Sequence, residues 1–125
     1  SEMCIRDRHV GIRFLEIGED YIRASMPVDH RTHQPFGILH GGASVVLAET
    51  VGSTAANHCL DTSRQYAVGL DINCNHLRSV SSGDVFATAR ALHIGRSTQV
   101  WQIDITDQED RPVAASRLTM AVLNR

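Results

Sequence analysis

One stretch of this chain, and only one, has the spacing of a long helix, and it is too rich in small residues to lie on a surface. Val46, Leu47, Thr50, Val51 and Thr54 recur at three- and four-residue intervals within a segment running from about Gly41 to Leu60. Ala43, Ser44, Ala48, Gly52, Ser53, Ala55 and Ala56 fill much of the remainder. A helix laid upon a sheet needs one apolar face. Side chains this short let neighbours approach on more than one side, at some cost in helicity at the glycine. The segment is therefore expected to be enclosed by the rest of the chain.

That rest reads as strands. Gly11 to Ile17 and Tyr21 to Met26 face each other across Gly18-Glu19-Asp20, a hairpin signal. Pro27 and Pro35 bracket the polar stretch Val28 to Gln34, which cannot continue a ladder and is expected to run as a surface loop, with His30 and His33 in solvent. Past Leu60, Val68, Leu70, Ile72 and Cys74 alternate with Gly69, Asp71, Asn73 and Asn75, which predicts a strand with the first set in the core. Ser81 to Asp84 turns the chain into Val85–Ile94, Gly95-Arg96 turns it into Thr98–Thr106, and Gln108 to Arg111 leads into Pro112–Leu123. The order predicts an α+β domain with a single antiparallel sheet wrapped around one long central helix. With 125 residues there is room for one domain, placed at 9–125, preceded by a frayed leader at 1–8.

Charge and cysteine usage narrow the function classes. A formal charge of −2 offers no attraction for nucleic acid. The seven histidines, spread from His9 to His93, lack metal-ligand spacing. Cys4, Cys59 and Cys74 form no CxxC, and their odd number suits a reducing compartment. No apolar run approaches the roughly 20 residues of a membrane span. The expectation is a cytoplasmic protein without metal, nucleic acid or membrane partners.

Chemistry concentrates in Gln34-Pro35-Phe36-Gly37-Ile38-Leu39-His40-Gly41-Gly42-Ala43-Ser44, followed by Glu49 inside the helix. Gly41 and Gly42 at a helix start leave backbone N–H groups without intrahelical acceptors, and the helix dipole adds partial positive charge there, so a developing oxyanion would be stabilised. Such groups are usually satisfied by water or a cap; His40 and Gln34 nearby strengthen the functional reading. Glu49 sits among Val45, Val46, Leu47, Ala48 and Val51, where a carboxylate needs a partner or a task, the bland alternative being a solvated helical face. His40 and Glu49 are nine residues apart, roughly 13 Å along a helix axis and on opposite faces. One chain cannot bring them to one bond, so joint action requires a second subunit across a two-fold axis.

The run from Gln34 to Ser44 with Glu49 resembles the active-site segment of hotdog-fold thioesterases, particularly the phenylacetate-degradation type and the bacterial 1,4-dihydroxy-2-naphthoyl-CoA hydrolases. The resemblance extends from about Val10 to Leu123, through Val68 to Ser79 and Leu92 to Trp101. It implies hydrolysis of an aromatic acyl-CoA to the free acid and CoA, with Glu49 as nucleophile or general base. The Gly41 N–H would polarise the carbonyl, aided by His40 and Gln34, and Ser53 would orient the carboxylate or its water. CoA, as part of the substrate rather than a cofactor, would rest on Gly69, on His76, Leu77, Arg78 and Ser79, and on His93, Ile94, Gly95, Arg96, Ser97 and Thr98. Arg78 and Arg96 suit phosphate because the guanidinium is a planar fork of donors. The resemblance further implies homodimers with a continuous sheet and shared sites, paired into tetramers, and a helix ahead of the first strand that closes the acyl pocket; Ser1 to Arg8 lacks helical periodicity. A hotdog-fold dehydratase and a non-catalytic acyl-CoA-binding module are the competing readings.

Overall fold

The computed structural model describes residues 10–125, so the leader expected at 1–8 lies outside the described residues. Strands β1 (Arg13–Ile17) and β2 (Tyr21–Pro27) form the opening hairpin. Helix α1 (Gly41–His58) follows, and then come β3 (Gln65–His76), β4 (Asp84–Ile94), β5 (Thr98–Thr106) and β6 (Pro112–Asn124). The strands make one sheet in the order β1-β2-β4-β5-β6-β3, antiparallel throughout.

Period-two alternation directs Ile22, Ala24 and Met26 of β2, Val85, Ala87 and Ala89 of β4, Trp101, Ile103 and Ile105 of β5, and Leu118 and Met120 of β6 to one buried face. Helix α1 lies across that face, touching every strand from β2 to β6. Its short side chains make this possible. A Cβ on Gly52 would lie 2.6 Å from Leu118 Cδ2 and 3.1 Å from Ile103 Cδ1, closer than side chains pack. The helix ends two residues before the expected Leu60, with Cys59 as its C-cap.

Strand β3 departs from the simple alternation. Gly69 pairs with Met120 and Asp71 with Thr119, so Leu70 is an extra, bulged residue that shifts the phase of everything before it. Ile72 and Cys74 pack against the core as expected. Val68 and Leu70, expected in the core, are 37% and 62% exposed instead. His33, expected in solvent, has Nε2 2.9 Å from the carbonyl of Ser81 and helps tie the surface loop to the start of β4.

Candidate active site

The loop that delivers the chain to α1 is fixed from within. Buried Thr32 donates its hydroxyl to the Pro27 carbonyl and accepts from the Asp29 N–H, and the Asp29 carboxylate holds the Arg31 guanidinium at 2.9 Å. That contact keeps the Asp29 carboxyl at about 2, below its ordinary 3.8. The His40 N–H then donates to Thr32 and the Leu39 N–H to Val80, which sets where the helix begins.

His40 is the N-cap, in extended conformation, and its Nδ1 accepts the Gly42 N–H at 2.8 Å. One correction follows. The Gly42 N–H, expected to await an oxyanion, is already capped, which leaves Gly41 as the donor at the helix start. The ring's role is also defined: with Nδ1 accepting, the neutral imidazole carries its proton on Nε2 and is a donor there.

Gln34 stands beside this helix start. Its Oε1 takes the Phe36 N–H, so its amide nitrogen is the group left to donate. Gln34, Gly41 and Ser44 share a cleft of about 360 Å³ with His76, Leu77, Arg78 and Ser79. The His76 ring leans over the helix start, its Nε2 3.2 Å from where a Cβ on Gly41 would stand. A methyl at position 41 would press on that ring, so glycine keeps the approach to its N–H uncrowded.

Glu49 lies elsewhere. With Ser53, Gly69, Leu70, Asp71, Ile72 and Leu118 it lines a second cleft, of about 450 Å³. The Ser53 hydroxyl stands 4.0 Å from Met120 Sδ in the wall of that cleft. Eight residues of helix separate Gly41 from Glu49, about 12 Å. One chain thus holds the Gly41 N–H and the Glu49 carboxylate in different clefts, one at the His76 end of β3 and the other at its middle, around Gly69 to Ile72.

The expected CoA contacts divide as well. Gly69 belongs with Glu49, whereas His76 to Ser79 belong with Gly41. His93 to Thr98 form the β4–β5 turn, closed by the Gly95 N–H on the Thr98 carbonyl, with the His93 ring packed on Gly95. This turn stands at the Ala121 end of the sheet, while Leu77 and Arg78 donate to Val113 at the other. The rows from Ala114 to Ala121 span about 23 Å of strand, so the two groups do not form one site within a chain. Among the described residues neither Arg78 nor Arg96 makes an ion pair.

Other nucleophiles are weak candidates. Cys59 and Cys74 are free thiols, and burial pushes both up from the usual thiol range, away from the reactive thiolate. Among the described residues no cluster of His, Cys, Asp and Glu is arranged to hold a metal ion. Ile38, Leu39, Ser44 and Val113 also line the Gly41 cleft and were not foreseen; the first three lie within the motif itself, which was the available signal.

Comparison with known proteins bears on this arrangement. Residues 36–114 match the family model described as the thioesterase superfamily. The chain is 54% identical over 112 residues to the 1,4-dihydroxy-2-naphthoyl-CoA hydrolase of Escherichia coli, covering 90% of this chain and 82% of that protein. It is 48% identical over 115 residues to the proofreading thioesterase EntH of Cronobacter turicensis, covering 92% and 83%. A crystal structure of a thioesterase from Haemophilus influenzae matches with a TM-score of 0.92 at 55% identity, covering 95% of this chain and 82% of that one.

Proposed function

The chain belongs to the thioesterase superfamily and has its hotdog fold, and on that premise we propose that it hydrolyses an aromatic acyl-CoA to the free acid and CoA at sites shared between two subunits. The observation that carries this reading is the division of one chain into two clefts, one offering the Gly41 N–H and the Gln34 amide, the other offering Glu49. Each half is chemically incomplete. Donors without a nucleophile polarise a carbonyl and leave it intact; a carboxylate in a cleft that lacks the Gly41 N–H faces an unactivated thioester.

In the composite site the thioester oxygen accepts from the Gly41 N–H of one subunit, at the positive end of α1, where charge developing on oxygen is stabilised. Glu49 of the other subunit either attacks the carbonyl carbon, forming an anhydride that water opens, or takes a proton from water as the water attacks. In both routes the C–S bond breaks, CoA leaves as thiolate and is protonated, and the oxygen of water ends in the carboxylic acid. Ser53, one turn beyond Glu49, would orient the carboxylate or its water. Arg78 and Arg96, exposed and without ion pairs among the described residues, would meet CoA phosphates.

The aromatic acyl group rests on likeness to the 1,4-dihydroxy-2-naphthoyl-CoA hydrolase. No helix among the described residues is long and apolar enough to cross a membrane, and a CoA substrate and an odd cysteine count suit the cytoplasm. The test is release of free thiol from a panel of acyl-CoAs by the purified protein and its Glu49→Gln variant. Turnover of aromatic thioesters, lost by about 10²-fold or more in the variant while CoA binding persists, is the expected result. Wild-type turnover in the variant would remove Glu49 from the chemistry.

A further inference from the structure

We infer that Asn57 is a stop on the free edge of β3 that sets the register in which two copies of this chain join their sheets, with the two-fold axis at Asn73. The inference rests on the shared-site reading above and adds the geometry that makes the sharing work.

Among the described residues, strand β3 is an edge strand, paired only with β6. It carries no lysine or proline, the residues that commonly blunt an edge. In an antiparallel pair each residue directs its backbone N–H and C=O either to the partner strand or to the far side, in alternation. The far-side residues of β3 can be identified. On β6, the Val122 N–H goes to Ser97 beyond β5, while the Val113 carbonyl accepts from Leu77 and Arg78. Thr119, Arg117 and Ala115 therefore face β3, and their mates Asp71, Asn73 and Asn75 face β6. The backbone groups turned to the open edge are those of Ile72, Cys74 and His76 and, before the bulge, Gly69 and Ala67.

Ala67 is already occupied. Its N–H donates to Asn57 Oδ1 at 2.8 Å, and its carbonyl accepts from Asn57 Nδ2 at 3.3 Å. The same Nδ2 also donates to the Ser53 carbonyl at 3.0 Å, which anchors the side chain to α1. Asn57 thus takes the place that a neighbouring strand would take, and the open edge begins at Gly69 and ends at His76.

A two-fold axis at Asn73 uses this window completely. Counting Leu70 as the bulged residue, Gly69 meets the partner's His76 and Ile72 meets the partner's Cys74, each pair occurring twice. On the outer face Val68 meets the partner's Leu77, so apolar side chains that are 37% and 59% exposed in one chain cover each other, and Asp71 meets the partner's Asn75. Moving the axis to Ile72 would require Ala67 to bond the partner's His76, which Asn57 prevents. Moving it to Cys74 would leave Gly69 without a mate and set Asp71 against the partner's Leu77. Only the Asn73 register lays Gly69, in the wall of the Glu49 cleft, beside the partner's His76, whose ring borders Gly41.

Single-cysteine chains test this, with Cys4, Cys59 and Cys74 replaced by serine unless named. Residues facing each other across the axis in a non-hydrogen-bonded pair have Cα atoms about 4.5 Å apart, within disulfide range, whereas Ile72 and Cys74 would each lie about 8 Å from their symmetry mates. Mild oxidation should therefore link Asn73→Cys into covalent dimers, and leave Ile72→Cys, or a chain keeping only Cys74, unlinked. Crosslinking at 72 or 74 instead of 73 overturns the register. Adding Asn57→Ala should shift part of the crosslinking from position 73 to position 72; an unchanged pattern in a folded dimer overturns the role of Asn57. Should that variant not fold, hydrogen exchange of the unaltered protein decides: the Ala67 amide should stay protected on dilution to monomer while those of Ile72, Cys74 and His76 lose protection, and parallel loss at Ala67 overturns the stop. Because none of these readouts uses turnover, a chain that links through position 73 but hydrolyses no thioester refutes the proposed function alone.

Discussion

Replacing Gly52 by alanine measures how closely α1 is held to the sheet. The new methyl would stand 2.6 Å from Leu118 Cδ2 and 3.1 Å from Ile103 Cδ1. Neither neighbour has somewhere to go, since Leu118 is 1% and Ile103 0% exposed. Two effects oppose each other. Alanine gains about 0.8–1.0 kcal/mol over glycine in a helix interior, while forcing a methyl into a filled core costs about 1–3 kcal/mol. The balance is a destabilisation between about zero and 2 kcal/mol, and relief comes from α1 moving away from the sheet. Because Glu49 lies one turn earlier on the same helix, kcat should fall more than KM rises. Denaturation at fixed subunit concentration, with thiol-release kinetics on the same preparations, reads both quantities. A variant about 1 kcal/mol more stable than the parent with unchanged kcat would show helix propensity acting unopposed, and the close approach of α1 would be refuted.

Three further outcomes are expected. Arg78→Ala should raise KM for acyl-CoA far more than it lowers kcat and be nearly silent toward a thioester lacking the nucleotide; equal losses with both substrates would make Arg78 structural. Asp29 has its carboxyl lowered by the Arg31 guanidinium to about 2, so its stabilisation is present above the ordinary carboxylate range and is lost as pH falls through that range toward 2. Asp29→Asn should accordingly be less stable than the parent at pH 7, and the two should converge near pH 2 in urea midpoints. Mixing inactive Glu49→Gln subunits with inactive subunits altered at His40 and Gly41 should restore about a quarter of parental activity after random exchange, since half the dimers are mixed and each has one intact site; exchange without recovery would refute shared sites.

The parts of this molecule that follow from periodicity were legible in the sequence. Spacing along 41–60 marked α1, its small residues foretold close packing, and nine residues of helix between His40 and Glu49 required two separate places for them. What escaped depends on contacts that no local pattern records. The bulge at Leu70 inserts one residue without any distinctive residue type, so alternation placed Val68 and Leu70 on the wrong side. The N-cap went unread because histidine is not among the side chains that usually cap helices, and its ring was assigned to substrate alone. Asn57 binds a residue across a loop, and asparagine near a helix end ordinarily reads as a stop signal. The CoA contacts were grouped by the resemblance, while strand register places them at opposite ends of the sheet.

On the shared-site proposal, the placing of the Gly41 N–H and the Glu49 carboxylate in two separate clefts has a kinetic consequence. A catalyst whose monomer holds only half-sites obeys mass action before it obeys saturation. Below the dissociation constant of the dimer, the concentration of working sites grows with the square of the subunit concentration, so halving expression removes three-quarters of the flux, whereas above it flux follows expression linearly. A cell making this chain at low abundance would pass through a threshold, and a substitution weakening the β3 edge would move that threshold without altering any group that touches substrate.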